Sequence, residues 1–316
     1  MRSWLSEGRG FFWIAIGALA LIRLLLAAVP LPIWFSLLSG VIFIGAPIYA
    51  LFRAADHDWT AKKALAWLIP GALAHAGLAL LLAYVMPKTG WPTVGVDTLM
   101  QSSLLVWTTG LGALVGLLIK DKNLILPVAI FLAGFDIFLV MNPTTFVAQT
   151  VEKRPEVFSS VAMKVPSVRP SQPEGAAPKG VQSPALISVG PADLIFSMMF
   201  FVVLFRFKMR VKKTAQWLAG VLVFYMALVL LTPFGMLPAL VPIGATVLIV
   251  NAREFAMTRD EKIGVALATL LSIGLAWYGI HRRMTYKPPP KKTDAVQTAP
   301  APSSGLKPET ISPSSP

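Results

Sequence analysis

The chain has 316 residues, of which 55% are hydrophobic and 14% charged, against roughly 25% charged in a soluble domain. With a mean hydropathy of +0.68, this composition excludes an ordinary soluble fold and points to a polytopic membrane protein. The absence of cysteine removes disulfides and thiolate chemistry. The net charge of +13 is not a nucleic-acid signal, because the Lys and Arg lie between apolar runs and in the tail. That is the pattern of topology determinants and anionic-lipid contact.

A membrane span needs about 20 mostly apolar residues. Nine runs qualify, at about 10–29, 31–52, 64–86, 98–119, 123–141, 188–207, 215–232, 235–251 and 262–280. The first is too long for the apolar core of a cleavable signal, about 7–15 residues, and reads as a retained span. The runs lack the period-2 alternation of a barrel, so all nine are expected to be helices. The chain then divides into a four-helix region (1–122), a fifth helix (123–141), a Pro-rich polar loop (142–187), a C-terminal membrane region (188–284) and a disordered tail (285–316). Tight turns are expected at Val29-Pro30-Leu31-Pro32 and Thr232-Pro233-Phe234-Gly235. With the N-terminus in the cytoplasm, fifteen Lys and Arg fall in inner segments, and the outer short loops hold Lys88 alone. The positive-inside rule therefore places 142–187 outside. Arg282 and Arg283 dissent, since a ninth span would carry them out.

Two acids stand inside apolar runs, Asp136 in Gly134-Phe135-Asp136-Ile137-Phe138 and Asp193 in Gly190-Pro191-Ala192-Asp193-Leu194. An ionisable group in hydrocarbon costs several kcal/mol, roughly, and marks a functional site by default. No other span is expected to carry an acid in its middle. Asp136 lies six residues before Asn142, and Asp193 six residues after Ile187. At about 1.5 Å per residue both acids are expected some 9 Å below the same membrane edge, Asp193 about one and a half turns into its helix. Two carboxyls a few ångströms apart hold one proton between them, the arrangement in which one activates water and the other polarises a carbonyl. Each acid alone also fits a structural hydrogen bond, a helix end or an ion path.

The residues around the acids resemble the presenilin and signal peptide peptidase family of intramembrane aspartyl proteases. Phe135-Asp136-Ile137-Phe138 resembles the motif of the family's first catalytic helix, and Gly190-Pro191-Ala192-Asp193 its Gly-x-Gly-Asp. Leu204-Phe205-Arg206-Phe207 is similar to the far end of that second helix, and Pro238-Ala239-Leu240 to the Pro-Ala-Leu that opens the family's last helix. The long loop between the Asp helices is a family habit. Ala192 stands where the family has its second Gly, and four spans rather than five precede the Asp136 helix. The resemblance covers about 123–251 and implies a presenilin-like arrangement of helices. It implies Asp136 and Asp193 as catalytic residues, with Gly190, Pro238, Ala239 and Leu240 shaping the site. It also implies transmembrane helices or signal-peptide remnants as substrates, and no cofactor or metal.

Other sites are weaker. His57, His75 and His281 are scattered without a His-Glu-x-x-His helix. His75 reads as a packing residue, since no Ser sits in a Gly-rich nucleophile turn. Arg23 in the first span reads as a snorkelling or paired charge. Trp4, Trp13, Trp91 and Trp277 lie near span ends, where aromatic belts are expected. The expected function is an intramembrane aspartyl endopeptidase working among membrane lipids, with no nucleic-acid partner. The alternatives are a proton- or cation-coupled carrier or channel using the paired acids, and a non-catalytic scaffold of the same fold.

Overall fold

A computed structural model of the protein describes residues 8–28, 34–87, 90–166, 185–231 and 238–286. The fold is all-α apart from one short hairpin. In chain order the long helices are α1 (Gly8–Ala28), α2 (Trp34–Ala55), α3 (Ala61–Tyr84), α4 (Trp91–Leu118) and α5 (Ile125–Met141). Two short helices follow, α6 (Phe146–Lys153) and α7 (Pro155–Val161), then strands β1 (Met163–Pro166) and β2 (Ala185–Val189). The chain ends in α8 (Pro191–Arg206), α9 (Val211–Leu231), α10 (Leu240–Asn251) and α11 (Arg259–Thr285).

The described residues of each apolar run include a helix, and six helical segments among the described residues are long and apolar enough to cross a membrane: α1 to α4, α5 with its entry turn, and α11. The chain is a membrane protein on that ground. Helices α8 and α10, at 16 and 12 residues, are shorter than the roughly 20 residues a full crossing takes. The faces of α3 and α11 show what surrounds the bundle. Leu73 and Leu80, and Leu270 and Trp277, are each more than half exposed, an apolar coat suited to lipid rather than to water.

Helix starts follow local chemistry. Thr258 and Glu261 form a reciprocal cap on α11, with the Thr258 N–H donating to Glu261 Oε2 at 2.7 Å. Thr60 and Thr145 cap α3 and α6 through their hydroxyls. Helix α4 begins at Trp91, earlier than the sequence pattern indicates, because Gly90 adopts φ +119° and Pro92 fills the first turn. That start places Asp97 inside α4 and corrects the expectation that Asp136 and Asp193 are the only acids within a span. Helix α8 starts later than expected, because β2 occupies the residues before it and Pro191 is its first residue. Asp193 is therefore in the first turn, not one and a half turns inside. The described residues of the 142–187 loop include α6, α7 and β1 and run into β2, and β1 pairs antiparallel with β2 from Met163↔Val189 to Pro166↔Ala185. The expected turns at 29–32 and 232–235 lie outside the described residues, as does the tail from 287.

Glycines set how closely the long helices approach, which matters where packing rather than hydrophobicity drives association. Helix α8 is the buried centre, with Met198, Phe200, Phe201, Val203 and Leu204 almost fully enclosed. It lies against α4, where a Cβ on Gly112 would collide with the Ile195 carbonyl oxygen and the Met198 side chain. Helix α5 meets α11 at Gly134, against Ser272, whose hydroxyl also donates to the Ile130 carbonyl at 3.0 Å. Helix α10 meets α5 at Gly244, beside the Ala129 carbonyl. Gly112→Ala is expected to cost about 1–3 kcal/mol by overpacking. Gly17→Ala in α1, where a Cβ meets nothing within 4 Å, is expected to be neutral or slightly stabilising. Thermal unfolding of the two variants in one detergent checks the contrast.

Candidate functional site

The site is assembled at the ends of three helices. Asp136 lies on α5, five residues before the last residue, Met141, and is half-buried. Its Oδ2 accepts the Leu240 N–H at 2.8 Å. Leu240 is the first residue of α10, so the carboxylate satisfies one of the donors that every helix leaves unpaired at its N-terminus and places negative charge at the positive end of the helix dipole. Pro238-Ala239-Leu240 thus meets Asp136 through its backbone. The other side of that turn is held by Tyr225 of α9, whose hydroxyl donates to the Pro238 carbonyl at 2.7 Å. Pro238 is buried, so this bond supplies a partner its carbonyl needs.

Asp193 is the third residue of α8. Its Oδ2 accepts the Gly190 N–H at 3.1 Å, a cap closing on its own helix start. Gly190 is extended at φ −66°, ψ 150°, a conformation open to any residue. Its lack of a side chain matters for space, because a Cβ there would sit 3.3 Å from Asp193 Oδ2. Ala192, in place of the second motif Gly, is exposed, and so its methyl points away from the packed side of α8. The Asp136 and Asp193 carboxyls lie within electrostatic range of one another, and the Tyr225 hydroxyl lies within range of both.

The fold therefore gathers Asp136, Asp193, Gly190 and Pro238 to Leu240 into one region. It adds Tyr225, which the sequence reading missed. The available signal was its place six residues before the end of α9, rather than at the end, where membrane aromatics usually gather. A second omission is Asp97. It pairs with Arg23 at 3.5 Å and with Lys164 at 2.9 Å, which makes Arg23 a paired charge. His75 Nδ1 lies 3.0 Å from the Met100 carbonyl, and the His281 ring stacks on Trp277. Among the described residues no group of His, Asp and Glu is arranged to hold a metal ion.

No protein-family model, curated protein or solved structure matches this chain. The chemistry must be read from the site itself. Two carboxyls in electrostatic range of each other can take the separate roles of base and acid at one reacting centre. Each is also a helix cap. Tyr225→Phe is expected to lower stability by about 1–3 kcal/mol, since it leaves the buried Pro238 carbonyl without its donor. Unfolding midpoints of the variant and the unsubstituted protein, measured side by side, check this.

Proposed function

We propose that the protein is an intramembrane aspartyl endopeptidase, resembling presenilin and signal peptide peptidase. The observation that carries the reading is the Asp136 carboxylate bonded to the opening of the Pro-Ala-Leu helix, with Asp193 in electrostatic range. Helix lengths add support. On a nine-span topology with a cytoplasmic N-terminus, α5, α8 and α10 share an inner membrane face marked by Lys122, Arg206 and Arg253. Measured from those inner ends at about 1.5 Å per residue, Asp136 and Leu240 stand about 17 Å up and Asp193 about 20 Å. The hydrocarbon is about 30 Å thick. On that topology the short α8 and α10 end below the outer surface and both acids are submerged.

One carboxylate takes a proton from water as its oxygen attacks the scissile carbonyl carbon. The protonated partner donates to the carbonyl oxygen, giving a tetrahedral diol. Collapse of the diol breaks the C–N bond: the partner carboxylate takes back a diol hydroxyl proton, the first acid protonates the departing amine nitrogen, and the products are a carboxyl and an amine. The substrate is a transmembrane helix or a signal-peptide remnant whose local unwinding frees the carbonyl from its helical hydrogen bond.

A non-catalytic scaffold is the second reading, favoured by the fact that both carboxylates already serve as caps. Cleavage of a labelled transmembrane peptide by purified protein separates the two, with a carrier as a further outcome. Acids that act as a unit give non-additive losses, so Asp136→Asn, Asp193→Asn and the double variant are each expected to abolish cleavage to a similar extent. A hydroxyl-bearing transition-state analogue is expected to compete with substrate. Cleavage that persists in Asp193→Asn would remove that residue from the mechanism, and a scaffold or carrier would break no peptide bond in any variant.

The topology has its own check. A protease site inserted in 167–184 is expected to be cut only from the exterior of sealed cells, and cutting only in inverted vesicles would reverse the orientation.

A further inference from the structure

Apart from the paired acids, three charged side chains from distant parts of the chain meet around Asp97. Arg23, on α1, is 3% exposed. Isolated in that setting its charge would be costly, and Asp97 of α4 answers it at 3.5 Å. The same carboxylate takes Lys164 Nζ, from β1, at 2.9 Å. One helical turn along α4, the Gln101 side chain treats β1 as a neighbouring strand would: its Nε2 donates to the Ala162 carbonyl at 3.3 Å and its Oε1 accepts the Lys164 N–H at 3.0 Å. Behind these contacts Arg23, Thr98, Gln101 and Met163 border a cavity of about 20 Å³, room for a single water. Hairpin residue Lys164 is thus held at both its backbone and its side chain.

The hairpin leads directly to Asp193. Lys164 pairs with Ser188, Met163 pairs with Val189, and the next residue is Gly190, whose N–H bonds the Asp193 carboxylate. We propose that Arg23, Asp97, Gln101 and Lys164 form a docking clamp that fixes the β1–β2 hairpin on α4 and, through it, the start of α8 and the placement of Asp193. They are positioning residues, since none is assigned contact with substrate. Arg23 and Asp97 set the charge inside the bundle, and Lys164 is the removable end of the chain. Asp97 is needed twice, because without it both cations lose their partner. A buried pair broken on one side is far more damaging than one lost at its exposed end.

Only the kinetic arm of the test rests on the endopeptidase reading. The chain has no cysteine, so spin labels can be placed at chosen pairs. Leu99, Ser188 and Ala192 are exposed, and the pairs Leu99→Cys with Ser188→Cys and Leu99→Cys with Ala192→Cys report hairpin and α8 start against α4. Each pair is expected to give one narrow distance distribution in the parent, broadened in Lys164→Met and in Gln101→Leu, and restored by Lys164→Arg. Lys164→Met leaves Arg23 and Asp97 paired and avoids the risk of misfolding that Asp97→Asn carries. In peptide cleavage, Lys164→Met is expected to lower kcat about tenfold with KM within about twofold, and Lys164→Arg to recover most of it. Unchanged distributions in Lys164→Met and Gln101→Leu would overturn the clamp. A loosened hairpin with a narrow Ala192 distance, or with unaltered kcat, would overturn its hold on Asp193. A parent protein that cleaves nothing, with label distances behaving as expected, would defeat the endopeptidase reading and leave the clamp standing.

Discussion

The start of α10 depends on a carboxylate from another helix. A helix N-terminus presents N–H groups with no partner inside the helix, and within a bundle of apolar side chains water cannot serve all of them. Asp136 takes the Leu240 N–H, and Tyr225 takes the Pro238 carbonyl on the opposite side of the same turn. These two bonds join α5, α9 and α10 at one level. Either partner lost leaves a buried polar group unanswered, which costs more than the bond itself contributes.

Small residues make that meeting possible. In lipid, hydrophobic contact does not favour one helix pairing over another, so close approach and shape decide. Gly244 lets α10 lie on α5 beside the Ala129 carbonyl, Gly134 lets α11 lie behind α5, and Gly112 brings α4 onto α8. The hairpin sits across this frame, tied to α4 by Gln101 and Lys164. Its register, Met163 opposite Val189, delivers the chain to Gly190 and Asp193. Position at the site is therefore inherited from helix packing on one side and from a two-stranded pairing on the other.

Both acids carry a structural duty along with the proposed chemistry, and the two are compatible. Each cap uses Oδ2, while a carboxylate has two oxygens and about four acceptor directions. A cap also fixes the rotamer of the carboxyl that water and the scissile carbonyl would meet, the kind of support a reacting group needs. Under the proposed hydrolysis, the hydrogen bonds that hold α8 and α10 in place are the ones that aim the acids.

Composition and apolar run length determined by themselves that this is an all-α membrane protein, because a chain with so few charges can satisfy its backbone in lipid only by helices here. The pattern also singled out Asp136, Asp193 and Pro238-Ala239-Leu240, since a carboxylate or a helix-opening Pro inside an apolar run is costly enough to stand out. Element starts were less legible. Hydropathy alone starts α4 after Asp97, because the polar residues near it hide a start that Gly90 and Pro92 determine. Run length alone sets Asp193 deeper than the first turn it occupies, because the strand before it exists only through pairing with β1 across about twenty residues. Most partnerships between elements were not legible. Tyr225 with Pro238, Arg23 with Asp97, and Gln101 with the backbone of β1 are contacts between separate elements. Hydropathy and spacing report how a segment meets its solvent, and only tertiary packing decides which side chain from elsewhere answers it.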